Sequence, residues 1–211
     1  MGKRTPRGRT TRARKYHHGN LRRAMLDAAL GLVEEGGAGA LTLREAARRA
    51  GVSQAAPYRH FASKQVLLAA VAEEGFRTMG QAMRTASAAE GDDPLARLRA
   101  LGLAYVGFAT THPAHFRVMF GRAAADRSAY PSLQEAAGET FDLLVSAIAD
   151  CQRAGLVRPG DPAELALAAW SATHGLASLW VDGQLTGRAG GTLGDLGRAL
   201  AANTFLGLAP R

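Results

Sequence analysis

Apolar residues recur along almost the whole chain with a period near 3.6, the spacing of one helix face, and nowhere alternate over a useful length as a strand requires. Leu21, Met25, Ala28, Ala29, Leu32 and Val33 form the first stripe. Asn20 stands ahead of it as an N-cap, and Gly36 and Gly37 stop it. In the stretch TLRE, Thr42 and Glu45 make a capping box, each side chain able to satisfy a free backbone donor at a helix start. That second helix is short and ends at Gly51. Ser53 can cap a third, shorter helix and Ser63 a fourth, long one, with Leu67, Leu68, Val71, Phe76, Met79 and Met83 on one side.

The segment SAAEGDDP breaks the pattern at residues 87–94, and Asp93 with Pro94 suits an N-cap and first helical position. Helices are predicted over 94–111 and 113–120. The loop GRAAADRSAYPS leads to a long helix from near Ser132, with Glu135 completing a further capping box. GLVRPGDP ends it, and Asp161 and Pro162 open the next, which carries the uncharged run Leu165 to Val181. A glycine-rich loop at 183–191 precedes a last helix over 192–206. The predicted fold class is all-α.

Composition sets the setting. A chain of 211 residues makes one large or two small domains with a substantial core. Its single cysteine, Cys151, forms no internal disulfide and fits a reducing compartment, so a cytoplasmic location is expected. The run Leu165 to Val181 contains Ser171, Thr173, His174 and Ser178 and falls short of the ~20 apolar residues a membrane span needs. It reads as a buried helix, and no membrane partner is expected.

Charge is distributed unevenly. Of the net +8, residues 1–65 hold 14 Lys/Arg against 4 Asp/Glu, while the remainder is slightly acidic. That asymmetry points to a localised polyanion-binding region. Residues 1–19 carry seven Lys/Arg, no acid and little that is apolar, the composition of a disordered basic arm. Such an arm tightens binding to any DNA without choosing its sequence.

Helices two and three fit a helix-turn-helix, with Ala47 at the crossing and Gly51 at the turn. Val52 and Phe61 can anchor the third helix, leaving Gln54, Ala55, Tyr58 and Arg59 on an outward face. That face offers close approach, an amide for a base edge, and groups for phosphates. Pro57 is tolerable only near a first turn, which keeps the third helix short.

The segment LTLREAARRAGVSQAAPYRHFASKQVLL resembles the DNA-binding domain of TetR-family transcriptional regulators, in its Leu-Thr, Gly-Val-Ser, Tyr-x-His-Phe and the lysine opening helix four. Pro57 departs from the apolar residue common at its position. The WSATHGLASLW segment, with Trp170, His174 and Gly175, resembles the WHG-type C-terminal domain of one branch. The resemblance implies a three-helix DNA-binding domain over 20–66 and a helical ligand-binding and dimerisation domain over 67–211. It implies base-edge contacts from Gln54 and Ala55, with Arg44 reaching a base or a phosphate and Ser53 on the same surface. Thr42, Tyr58, Arg59, His60 and Lys64 would meet phosphates; for His60 a purely structural role stands equally. The function implied is that of a homodimeric repressor of a palindromic double-stranded operator, released by a small-molecule effector.

Material for an effector cavity is present in YVGFATTHPAHFRVMF, where Phe108, Phe116, Met119 and Phe120 mix with Thr111 and His112. Pockets want apolar walls with a few polar groups, although each of these residues would serve equally in a packed core. Trp170 and His174 join them through the resemblance. His112 and His115 lack a third ligand nearby, so no metal is expected, nor any other cofactor. No G-x-S-x-G, phosphate loop, dinucleotide fingerprint or H-E-x-x-H occurs, which argues against an enzyme. The alternative is an architectural protein that binds DNA without sequence preference.

Overall fold

The computed structural model describes residues 18–121, 126–185 and 191–209. Helix α1 (His18–Ala40) begins ahead of the expected cap, so Asn20 lies inside it. His18 and Gly19, expected in the arm, belong to this helix; the rest of the arm lies outside the described residues. The expected stop appears as a break: Gly37 takes φ 71° and ψ 177°, and helix resumes to Ala40. The whole expected stripe from Leu21 to Val33 is buried.

Helix α2 (Leu43–Arg49) is capped by Thr42, whose Oγ1 accepts the Glu45 N–H at 3.0 Å. The Glu45 carboxylate pairs with Arg48, one turn on. A Schellman closure ends the helix. The Val52 N–H reaches the Ala47 carbonyl at 3.0 Å and the Gly51 N–H reaches that of Arg48 at 3.2 Å, with Gly51 at φ +69°.

The third helix requires correction. Residues 54–56 form a turn and only Pro57–Arg59 is helical, as a single 3-10 turn. Pro57 has no N–H for the carbonyl four residues back, and the Ser53 carbonyl accepts the Ala56 N–H instead, at 3.0 Å. The N-cap is Ala56 with no side-chain bond, so Ser53 caps nothing here.

Helix α3 (Lys64–Ala88) is the spine. Ser63 caps it through the Val66 N–H at 3.3 Å, its six predicted apolar residues are buried, and it packs against α1 and the next three helices. These are α4 (Pro94–Thr111), α5 (Pro113–Phe120) and α6 (Pro131–Arg153). Asp93 caps α4, accepting from Leu95 and Ala96 at 2.9 and 3.1 Å. The expected box at Ser132 and Glu135 does not form. Helix α6 starts with Pro131 behind Tyr130, and a proline there fixes the first helical φ and has no N–H to satisfy.

Helix α7 (Pro162–Val181) is capped by Asp161 through the Ala163 N–H at 2.8 Å. Helix α8 (Leu193–Leu208) opens on a reciprocal box: Asp195 N–H to Thr192 Oγ1 at 3.2 Å, and Thr192 N–H to the Asp195 carboxylate at 2.8 Å. The bonds that carboxylate accepts from Thr192 hold it below its usual range. Residues 186–190 of the glycine-rich loop lie outside the described residues.

The fold is all-helical. One core cluster runs continuously from Leu21 of α1 to Ala177 of α7, and a smaller one gathers Ile148, Cys151, Val157, Leu165, Ala166 and Leu208. The expected domain boundary between 66 and 67 falls inside α3, so both halves share that helix.

Candidate DNA interface and ligand cavity

The segment after Gly51 is held at three points. Phe61 and Pro57 are buried and Val52 is packed against the core. The Pro57 carbonyl accepts both the His60 and Phe61 N–H groups at 2.9 Å, locking the turn. With those residues inward, Ser53, Gln54, Ala55, Tyr58 and Arg59 are left exposed, Tyr58 by 55%. Thr42 and Arg44 are exposed at the start of α2. His60 is half-buried with its ring tilted against Phe61 at 6.4 Å. Lys64 is also half-buried, and its Nζ reaches the Gly39 carbonyl at 3.4 Å.

Cations divide into committed and available. Arg49 pairs with Glu35 at 2.7 Å, Arg48 with Glu45, and Arg23 with Asp27 and Glu74. The Arg49 hydrogen bonds hold Glu35 below the ordinary carboxylate range. Arg44 and Arg59 have no acidic partner among the described residues, so their charge is available to a phosphate or base edge.

A cavity of about 480 Å³ lies between α3, α4, α6, α7 and α8. Its walls are mainly apolar, with Phe76, Leu101, Phe120, Phe141 and Trp170 prominent. Of the eight residues proposed for it from sequence, Phe120 and Trp170 line it. Phe108, Phe116 and Met119 are buried in the surrounding core, and Thr111 bonds the Gly107 carbonyl and His112 instead. His112 stacks on Phe108, rings 4.8 Å apart.

His174 stands one shell behind the wall. Trp170 Nε1 can only donate, so the Tyr105 oxygen accepts from it at 3.3 Å. The Tyr105 proton then goes to His174 Nδ1 at 2.7 Å, leaving Nε2–H to donate to Ser178 Oγ at 3.2 Å. This assignment gives Trp170 Nε1, the Tyr105 hydroxyl and both His174 nitrogens a partner each. Burial lowers the His174 pKa and raises that of Tyr105, so both are neutral in this network.

Sequence reasoning missed Tyr105, Arg127 and the α4 and α6 walls. A signal existed in α6: Ala137, Gly138 and Thr140 place small side chains, or none, on the face that lines the cavity.

Residues 25–71 match the family model for bacterial regulatory proteins of the tetR family, and residues 98–202 match that for the tetracyclin repressor-like C-terminal domain. A protein of unknown function from Rhodococcus sp. RHA1 is 37% identical, with 93% of this chain and 99% of that one covered and a TM-score of 0.80. The TetR-family regulator PfmR from Thermus thermophilus is 21% identical over 88% of this chain and 99% of its own, at a TM-score of 0.70. SmeT, the repressor of the Stenotrophomonas maltophilia multidrug efflux pump SmeDEF, is 23% identical over 90% of each chain, at 0.67. At those identities the last two share the fold. No curated protein matches the chain in sequence.

Proposed function

Because the chain belongs to the TetR family of transcriptional regulators, we propose that it is a homodimeric repressor of a near-palindromic operator, released when a small molecule fills the 480 Å³ cavity. The observation that carries the reading is the exposed face of Gln54, Ala55, Tyr58 and Arg59, together with Arg44, exposed and without an acidic partner among the described residues. Gln54 and Ala55 meet base edges; Thr42, Ser53, Tyr58, Arg59 and Lys64 position the turn on phosphates. Lys64 also opens α3, where backbone N–H groups and the helix dipole favour a phosphate.

Two copies would place their turns in successive major grooves about 34–36 Å apart. Helices α7 and α8 supply the contact. Only Leu165, Ala166 and Ala177 of α7 are buried, while Leu167 and Leu179 stand 52% and 48% exposed. An apolar helix left so open calls for cover.

The test is a binding series on operator variants and random DNA at two salt concentrations. Gln54→Ala should relax preference at one position per half-site, by roughly 1–3 kcal/mol. Lys64→Ala should weaken binding to every sequence alike and lower the salt slope by about 1 per site. An architectural binder would instead show equal affinity for operator and random DNA, and Gln54→Ala would change nothing.

A further inference from the structure

One cation in the cavity wall stands without a counter-charge among the described residues. Arg127 lies in the wall, half-buried, its guanidinium 4.7 Å above the Phe76 ring. One of its nitrogens donates to the Met119 carbonyl at 3.3 Å. Among the described residues it pairs with no carboxylate, and no Asp or Glu is among the residues lining the cavity. Arginine has five N–H donors, so most of them remain for an acceptor in the cavity. Burying a cation without a partner is costly, and burial does press this guanidinium toward losing its proton, although arginine stays charged at neutral pH.

The neighbouring polar groups do not fill that role. The Thr140 hydroxyl is bonded to the Phe76 and Ala136 carbonyls, and the Thr173 hydroxyl to that of Ala169. Tyr105 is engaged with Trp170 and His174. Arg99, which has an interaction of its own, Gln134 and Thr204 also line the cavity, and the rest of the wall is chiefly hydrocarbon and aromatic, with Met79, Leu101, Phe120 and Leu144 prominent. A volume of 480 Å³ suits a single small ligand, within the ~300–1,000 Å³ range of such sites.

We propose that the effector is an amphipathic anion, a carboxylate on a chiefly apolar body, with the carboxylate on the Arg127 guanidinium and the body along the α3, α4 and α6 walls. A guanidinium matches a carboxylate with two parallel hydrogen bonds, and the Phe76 ring beneath fixes its plane. This inference rests on the cavity being the effector site.

The experiment uses the full chain and reads Trp170 fluorescence, since that ring lines the cavity. Dodecanoate, its methyl ester and dodecanol share one body and differ in charge. Dodecanoate should bind tenfold to a hundredfold more tightly than either neutral probe, the range expected of hydrogen bonds to a charged group. Arg127→Gln should remove that preference while dodecanol binding is kept, which also shows the variant is folded. Equal binding of acid and alcohol to the natural chain, or a preference surviving Arg127→Gln, would overturn the proposal. Gly138→Phe separates this from the underlying reading, because it fills the cavity. If it abolishes binding of all three probes, the cavity is a ligand site whatever the role of Arg127. If binding persists undiminished, or no probe binds the natural chain, the cavity is not that site and the proposal falls with it.

Discussion

Two glycines of this chain respond oppositely to the same change. Gly51 holds φ +69° at the closure of α2, and a Cβ there would meet no atom within 4 Å. The penalty for a side chain is therefore purely one of backbone conformation, roughly 1–2 kcal/mol. Gly107 lies exposed inside α4 with equally open space and an ordinary helical backbone. Alanine there removes chain entropy from the unfolded state and should stabilise by about 0.5–1 kcal/mol. Urea unfolding of Gly51→Ala and Gly107→Ala should thus move the midpoint in opposite directions at unchanged slope. Gly51→Ala should also weaken operator binding, because that closure aims the segment carrying Gln54 and Arg59. A midpoint for Gly51→Ala equal to that of the natural chain would mean the turn can take another path.

At the scale of elements, what the sequence declared was what local chemistry decides. The stripes of α1 and α3, the aspartate caps of α4 and α7 and the Gly51 closure follow from periodicity and side-chain donors within a few residues. The third helix of the DNA-binding unit departs from expectation because the missing N–H of Pro57 denies it a full helical turn. The cavity was less legible, since it depends on which helix crosses which. Segment 105–120 has the composition of a pocket, yet Gly75 brings α3 so close to α5 that a Cβ there would run into Met119 Sδ. That crossing seals Met119 into the core and leaves the open volume on the other side, against α6 and α7. His174 belongs to the same packed region, among Tyr105, Phe116, Phe120 and Trp170. Its pKa is lowered by burial, so the unfolded chain binds its proton more readily than the folded one. The stability held by the neutral ring is complete above the unfolded value near 6.5 and is lost as pH falls through the folded value. Melting temperature should therefore drop between pH 7 and pH 5, and His174→Gln should flatten that slope. His115, lowered as well by burial despite Glu74 at 3.5 Å, would keep a residual slope in the variant. An unchanged slope in His174→Gln would assign the acid sensitivity elsewhere.

In the proposed dimer the basic end would meet DNA twice, and α7 leaves two large apolar side chains, Leu167 and Leu179, exposed in the single chain. Leu179 lies near the C-terminal end of α7, 48% exposed, and is not among the cavity residues. Leu167 is exposed as well but also borders the cavity, so Leu179 is the cleaner probe. In a monomer, replacing an exposed leucine with glutamate costs little, since such a site normally tolerates change within about 0.5 kcal/mol. In a dimer joined by α7 and α8 the same change places like charges opposite each other across a symmetric contact, where every residue appears twice. Leu179→Glu should therefore convert a dimer to a monomer in dilute-solution mass measurements while the helical circular dichroism stays as it was. Operator binding should fall far more than binding to a single half-site, because the loss is in joining two half-sites and each turn still reads its own. Two outcomes reject this arrangement. A natural chain that is monomeric both alone and on DNA removes the dimer itself. A Leu179→Glu chain that remains fully dimeric moves the contact away from this end of α7, and the exposed leucines would then need another explanation.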